Sequence, residues 1–188
     1  MKFQAEQINY LQRLKKEFLF GFLILTSIIL YVHFKNSSTI EIAAAFIGVT
    51  GLGLALTAHF TAKTYFYEVE INENSLTLRG DSVDKPLTIE LPISETNIYP
   101  KSKGKGRGNV EYFIRFKHNN KTYDINRLFN WNYSTLLELF HEFKKQKNEK
   151  IIWDEKYLLE FMEKKAKGMS SLQIAFGKDE KDAPQQTL

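Results

Sequence analysis

The sequence has no cysteine among its 188 residues. Disulfide scaffolds, thiolate metal sites and cysteine nucleophiles are therefore excluded, and the absence suits a reducing compartment. No Gly-Lys-Ser/Thr follows a glycine at the spacing of a phosphate-binding loop, and no Gly-x-Ser-x-Gly elbow presents a serine nucleophile. The four histidines lie in separate predicted elements and lack metal-ligand spacing. We therefore expect a protein that is not an enzyme and that needs no metal or other cofactor.

Charge of either sign is not in large excess, since 26 lysines and arginines stand against 22 aspartates and glutamates. The net charge of +4 favours a position beside anionic membrane lipids over nucleic-acid binding. No feature indicates a small-molecule substrate. Glu68 and Glu70, two carboxylates on one face of a predicted strand, are expected to be solvated rather than to act as a general acid and base.

Two apolar runs, Phe18–Phe34 and Ile42–Phe60, contain no charged residue apart from one histidine near the end of each. As helices they would measure roughly 25 and 28 Å, close to the thickness of a bilayer core. This predicts a transmembrane helical hairpin at residues 18–60, after a juxtamembrane helix at 1–17. Lysines and arginines, Arg13 among them, flank the outer ends, which predicts a multi-pass protein of the cell (inner) membrane with both termini cytoplasmic. A hairpin buried inside a protein and a cleaved signal peptide are the alternatives.

Small residues recur at spacings of three and four in the second run and therefore share one helix face. They are Ala44, Gly48, Gly51, Ala55 and Ala58. Such a seam lets two helix backbones approach closely. It predicts packing within the hairpin or, alternatively, contact with a second copy in a homo-oligomer.

The hydrophobic period changes to two after Lys63, which predicts a series of short antiparallel strands. Gly80–Pro86 is predicted to be a polar turn between two of them, and Asn119-Asn120 a tight hairpin turn. Between two of the predicted strands lies a loop in which cations alternate with glycines over residues 101–109. The cations are Lys101, Lys103, Lys105 and Arg107. We expect this loop to contact anionic lipid or a protein partner, or else to be a solvated hairpin loop.

The helical period returns near Tyr133, where Asn132 or Ser134 is expected to cap an amphipathic helix. A last helix is predicted to start at Asp154 and to stop at Gly168. Four of its apolar residues form a candidate partner surface: Trp153, Leu158, Phe161 and Met162. That surface is expected to pack on its own domain, on a membrane or on a partner.

Three stretches carry a family resemblance: YFYEVEINENSLTLRG, PLTIELPISETNIYPKS and VEYFIRFKHNNKTYDINRLFNWNYSTLLELFHEF. Their order of strands and closing helix, after an apolar hairpin, resembles the bacterial two-span membrane proteins with a pleckstrin-homology-like domain. The resemblance implies a cytoplasmic antiparallel β-barrel or sandwich of that type, capped by a C-terminal helix, at residues 64–148. An amphipathic helix and flexible tail would follow at 149–188. The first hairpin turn is acidic here, so the inositol-phosphate site of the wider superfamily is not expected.

The function expected from these features is a membrane-tethered adaptor whose β-domain recruits a protein or lipid partner. Two alternatives are an immunity protein against a membrane-targeting toxin and an accessory subunit of a membrane transport or secretion assembly. A small transporter is less favoured, because the apolar runs hold few polar groups.

Overall fold

The fold contains seven strands and three long helices within the part of the chain that the computed structural model describes. That part comprises residues 1–15, 26–27, 31, 40–104, 110–126, 128, 130–170 and 173–174, without the side chains of 40–47. The strands are β1 (Lys2–Gln4), β2 (Thr64–Ile71), β3 (Ser75–Ser82), β4 (Lys85–Pro92), β5 (Asn97–Gly104), β6 (Val110–His118) and β7 (Lys121–Ile125). The helices are α1 (Ile40–Ala62), α2 (Tyr133–Gln146) and α3 (Trp153–Ala166).

The strands form two separate antiparallel sheets, one in the order β1-β2-β3-β4 and one in the order β5-β6-β7. Strand β1 lies at the start of the chain, where the sequence predicted a helix over residues 1–17. Its Phe3 pairs with Val69 of β2 and is buried, while the strand's other two residues are exposed. Residues 10–15 are helical. The pairing joins residues more than 60 positions apart, so local periodicity gave no sign of it.

Two tight turns explain how neighbouring strands connect. Asn119 and Asn120 join β6 to β7 with φ of 45° and 63°, which confirms the predicted hairpin turn because asparagine tolerates positive φ. Val83 and Asp84 join β3 to β4 with φ of 52° and 60°. The second turn is only two residues long. Strands β3 and β4 therefore extend through most of residues 80–86, where the sequence predicted a polar turn.

Helix α2 begins where it was expected. The Asn132 side chain accepts a hydrogen bond from the backbone N–H of Ser134, as a helix cap does. The buried face of α2 consists of Leu136, Leu139, Phe140, Phe143 and Lys144. After α3 the chain turns at Gly168, whose φ of +84° suits glycine at a helix end.

Contacts divide the chain into two compact units. The first comprises Met1–Glu6, Phe66–Arg79 and Thr88–Leu188, and the second comprises Gln7–Tyr65 and Gly80–Leu87. The core of the first unit is built from fully buried side chains of both sheets and α2, including Ile71, Leu76, Leu78, Ile98, Ile114, Phe116, Ile125, Leu136 and Phe140. In the second unit, Ala58, Ala62 and Tyr65 are buried near the end of α1.

The predicted transmembrane hairpin is contradicted: among the residues that the structure describes, no helix combines the length and the apolar character needed to cross a membrane. The first apolar run lies outside the described residues except for Thr26, Ser27 and Tyr31. The second run falls in α1, whose last turn is partly turned inward, with Ala58, Thr61 and Ala62 buried.

Three predictions that depended on the hairpin are corrected with it. These are the resemblance to two-span membrane proteins with a pleckstrin-homology-like domain, the fold class taken from it, and the multi-pass location in the cell membrane. The architecture found is a mixture of helices with two separate antiparallel sheets, to which the N-terminal residues contribute a strand. The division into segments 1–17, 18–60, 64–148 and 149–188 stays a prediction.

Candidate binding site

One face of the three-stranded sheet carries the candidate site, and the strand register determines its composition. Lys101 pairs with Phe113, and Lys103 pairs with Glu111 across β5 and β6. Arg115 pairs with Asp124 across β6 and β7. Because directly paired residues project to the same side of a sheet, the cations of β5 and β6 lie together. We call Lys101, Lys103, Phe113, Arg115, Thr122 and Asp124 the basic face. Glu111, which the register places opposite Lys103 on the same side, accepts a hydrogen bond from the Tyr133 hydroxyl group.

Arg115 is the fixed cation of the basic face. Its Nε donates to Oδ1 of Asp124 over 2.6 Å and its Nη2 donates to Oδ2 over 2.8 Å. This hydrogen bonding raises the pKa of Arg115, against the opposing effect of burial. The guanidinium also lies 5.5 Å from the ring centroid of Phe113. Arg115 is therefore held in one orientation by a bidentate ion pair and an aromatic ring, and it stays charged at all ordinary pH values.

Lys101 and Lys103 are the other two cations of the basic face, and their ammonium groups lie at the ends of long, exposed side chains. Both side chains are exposed on β5, and Nζ of Lys101 lies 5.5 Å from the ring centroid of Tyr99. These residues and Arg115 border a shallow depression of about 460 Å³. Its described lining is Lys101, Ser102, Lys103, Phe113, Arg115, Thr122 and Asp124. On the basic face the lining offers three cations, the hydroxyl group of Thr122 and an apolar floor at Phe113, and its single carboxylate, Asp124, is paired with Arg115.

The structure places the predicted basic loop only in part. Lys101 and Lys103 belong to β5, which runs to Gly104, and so they are held in register rather than in a loop. Lys105 and Arg107 lie outside the described residues. Arg115 and Asp124 also belong to the site, although they were not predicted from the sequence. The alternation of β6 could have predicted Arg115. Arg115 lies two residues from Phe113 and therefore projects to the same side of a strand that is adjacent to the two lysines.

The candidate partner helix, α3, presents two different faces. Met162 is fully buried and Leu158 and Phe161 are half-buried, whereas Trp153 is 77% exposed. Tyr157, which was not predicted from the sequence, is 54% exposed and stacks beside Trp153. The buried face of α3 consists of Glu155, Leu159 and Met162. The structure thus shows one face of α3 packed on its own domain, which was one of the expected outcomes. The side chains of Trp153 and Tyr157 remain exposed.

Lys144 and Glu155 fix α3 against α2 through a buried ion pair. Nζ of Lys144 lies 2.8 Å from Oε1 of Glu155 and 3.1 Å from Oε2 of Glu149. Burial lowers the pKa of Lys144, and hydrogen bonds to both carboxylates outweigh that effect and raise it. Glu155 also accepts a hydrogen bond from the backbone N–H of Ile152 at the start of α3. This buried ion pair therefore fixes the start of α3, and with it Trp153 and Tyr157, relative to α2.

The small-residue seam of α1 meets different surroundings along its length. An added Cβ at Gly48 would meet no atom within 4 Å, and Ala55 is exposed. Gly51 is half-buried and Ala58 is buried, while the side chain of Ala44 lies outside the described residues. Packing along this seam, within the chain or with a second copy, stays a prediction.

Glu68 is not the solvated charge that the sequence suggested, because its side chain is only 9% exposed. Oε2 lies 2.9 Å from Nζ of Lys2 and accepts from Nε2 of Gln4 over 2.7 Å, and Oε1 pairs with Arg79. Burial raises the pKa of Glu68, but these hydrogen bonds outweigh it and hold the pKa at about 2.

We expect Glu68 to make the stability of the first unit sensitive to acid. The pKa in the folded chain lies below the ordinary value of 4.5. Its contribution is therefore complete above about pH 5 and is lost as the pH falls toward 2. Glu68→Gln should remove on the order of 1 kcal/mol at pH 7, given solvent screening of the partners, and almost nothing at pH 2. Denaturant titrations at both pH values measure this, with the exposed Glu73→Gln as control. Equal losses for Glu68→Gln at both pH values would contradict it.

The second unit contains a separate polar cluster around Arg13, which is fully buried. Arg13 forms a bidentate ion pair with Asp81 and donates from Nε to the carbonyl of Ala62 over 3.0 Å. Tyr10 and Nδ1 of His59 share a hydrogen bond of 2.7 Å nearby. The sequence predicted Arg13 to be a charge at the flank of a membrane span. The structure uses it instead as an internal partner for the end of α1.

Neither a search for metal-binding groups nor comparison with known proteins assigns a further role to the described residues. Within the described ranges, no group of three or more histidine, aspartate or glutamate side chains is arranged to hold a metal ion. The fold and the site define an α/β protein with a solvent-facing basic depression on a three-stranded sheet. Comparison with protein-family models, curated proteins and solved structures finds no match to this chain.

Proposed function

We propose that the chain is a binding module without catalytic activity, and that its basic face recruits an acidic segment of a protein partner. The observation that carries the proposal is the register that gathers Lys101, Lys103 and Arg115 around one depression. Three cations on one sheet face attract carboxylates and discriminate against basic partners. The membrane tether of the sequence-based hypothesis is not part of this proposal.

The lining supports binding rather than proton transfer. Asp124 is engaged by two hydrogen bonds from Arg115. A general base must present an oxygen to a substrate proton, and both oxygens of Asp124 already accept hydrogen bonds from Arg115. The volume of about 460 Å³ falls within the range of roughly 300–1,000 Å³ found for ligand sites. The apolar floor at Phe113 suits a peptide that carries apolar side chains as well as charged ones.

Charge reversal of the two lysines tests the proposal. Lys101→Glu/Lys103→Glu should weaken binding of a blocked hexaglutamate peptide about tenfold or more, or ~1.4 kcal/mol, because two exposed attractions become repulsions. Isothermal titration calorimetry at low and at 150 mM salt measures the affinity. The matched control is Lys145→Glu/Lys150→Glu, which makes the same change of net charge at exposed lysines outside the depression.

Three outcomes decide the matter. A selective loss in the Lys101/Lys103 variant supports the proposal. Equal losses in both variants would reduce the effect to net charge and overturn the site. Binding to phosphatidylserine vesicles with no peptide binding would mean that the basic face meets lipid headgroups instead of protein.

A further inference from the structure

We infer that the acidic partner segment binds in an extended conformation, as an additional strand on the free edge of β5 over residues Lys101–Gly104. The inference rests on the proposed function and adds the binding mode and the sequence pattern of the partner. That pattern is an alternation of acidic and apolar residues. Four observations on the first unit support it.

Strand β5 is an edge of its sheet. In the order β5-β6-β7, it pairs on one side with β6, and no described strand pairs with its other side. Pro100 within β5 agrees with an edge position, because proline cannot donate a ladder hydrogen bond. Each residue from Lys101 to Gly104 is exposed. An exposed strand edge presents backbone N–H and C=O groups as a template for an added strand.

The two sides of this edge differ in chemistry. Lys101 and Lys103 project to the basic face with Phe113. Ser102 pairs with Tyr112 and projects to the opposite side of the sheet. Residues of an added strand alternate between the same two sides. Every second residue of the added strand would thus contact the lysines. The residues between them would project to the side of the sheet on which Tyr112 lies.

An aromatic row lies on that opposite side. The ring of Phe161 stacks on Tyr112 at 6.2 Å between centroids and 11° between planes. Tyr157 meets Phe161 edge-on at 4.7 Å, and Trp153 lies 6.3 Å from Tyr157. We call Trp153, Tyr157 and Phe161 the aromatic row; they recur every four residues along α3. Exposed tryptophan and tyrosine side chains are the types most enriched among binding hot spots.

Charge argues for an acidic partner rather than a second copy of this chain. If two β5 edges paired with each other, the lysines of one would approach the lysines of the other, and like charges across paired strands are destabilising. Lysines on an edge strand are a common device against such self-pairing. The same lysines would attract a strand that carries glutamate or aspartate at alternate positions.

Peptides of equal composition and different order test the inference. The probes are a blocked octapeptide in which glutamate and valine alternate, and a blocked octapeptide with four glutamates followed by four valines. We expect the alternating peptide to bind the full chain at least tenfold tighter by calorimetry. Methylation of every second backbone nitrogen, on the set that faces β5, should remove this advantage. Trp153→Ala/Tyr157→Ala should weaken the alternating peptide severalfold and leave hexaglutamate unaffected.

The outcomes separate this inference from the proposed function. If both octapeptides bind equally and the lysine variant weakens both, the basic face binds acidic segments, but strand addition is wrong. If hexaglutamate and both octapeptides fail to bind a chain that retains its circular dichroism spectrum, the proposed function fails as well. Protection of the amides of residues 101–104 from hydrogen exchange by the alternating peptide alone would support strand addition directly.

Discussion

Asp81→Ala is expected to lower the free energy of unfolding by about 3–5 kcal/mol, because it leaves the charge of Arg13 buried without its partner. Arg13 is 0% exposed and Asp81 is 7% exposed. Nη1 of Arg13 donates to Oδ2 of Asp81 over 2.9 Å, and Nη2 donates to Oδ1. Removal of the carboxylate ends both charge-assisted bonds while the guanidinium stays ionised. The loss is therefore larger than for an exposed ion pair.

The surroundings of Arg13 explain why water cannot replace Asp81 at low cost. Nε donates to the carbonyl of Ala62, the last residue of α1, and Nη1 also donates to the carbonyl of Ile8 over 2.6 Å. The guanidinium carbon lies 5.4 Å from the ring centroid of Tyr65. Arg13 thus satisfies a carbonyl at the end of a helix, where intrahelical partners are missing. Loss of its orientation would disturb the end of α1 as well as the ion pair.

Three comparisons test this account by far-ultraviolet circular dichroism during denaturant titration. Asp84→Asn serves as the control, because Asp84 is an exposed carboxylate in the same hairpin and asparagine tolerates its positive φ. It should cost less than about 1 kcal/mol. Arg13→Met/Asp81→Leu should cost clearly less than the sum of the single changes, since no unpaired charge remains. A loss below 1 kcal/mol for Asp81→Ala would contradict the account.

Sequence periodicity predicted the local features of the fold well, and for a physical reason. The two-residue alternation around β2 and β6, the Asn119-Asn120 turn and the Asn132 cap all depend on residues close in sequence. Each is determined by side-chain size, backbone conformation or a nearby hydrogen bond. Features of this kind survive without knowledge of the tertiary structure.

The features that were missed depend on residues far apart in the chain. Glu68 was expected to be solvated, and it is enclosed because β1 brings Lys2 and Gln4 beside it. Arg13 and Asp81 lie 68 positions apart. A charged residue in a sequence carries no mark of such a partner. Uncharged length alone also favoured a membrane span, whereas no described helix meets the requirements for one.

The candidate site was predictable in part. The cations at 101 and 103 were recognised by composition, but their role depends on strand register rather than on loop mobility. Arg115 and Asp124 join them only through the pairing of β5, β6 and β7. A site formed across three strands cannot be predicted from any single segment.

Asn126→Ala is the second change with a large expected effect, a loss of about 3 kcal/mol in the free energy of unfolding. Asn126 is 2% exposed and adopts a φ of 70°. Its Nδ2 donates to the carbonyl of Tyr112 and its Oδ1 accepts from the backbone N–H of Trp131, both over 2.8 Å. Alanine would lose two buried hydrogen bonds, at about 1 kcal/mol each, and would pay roughly 1 kcal/mol for the left-handed backbone.

A glycine at the same position separates the two contributions. Asn126→Gly removes both hydrogen bonds but accepts positive φ without strain, so it should cost about 1 kcal/mol less than alanine. The fluorescence of Trp131 provides the measurement in a Trp153→Phe background, because the Trp131 indole is buried and donates to the carbonyl of Phe66. If glycine were as harmful as alanine, backbone strain would contribute nothing, and the loop after β7 would be held by hydrogen bonds alone. If neither change cost more than 0.5 kcal/mol, the side chain of Asn126 would not be what joins β6 to the start of α2.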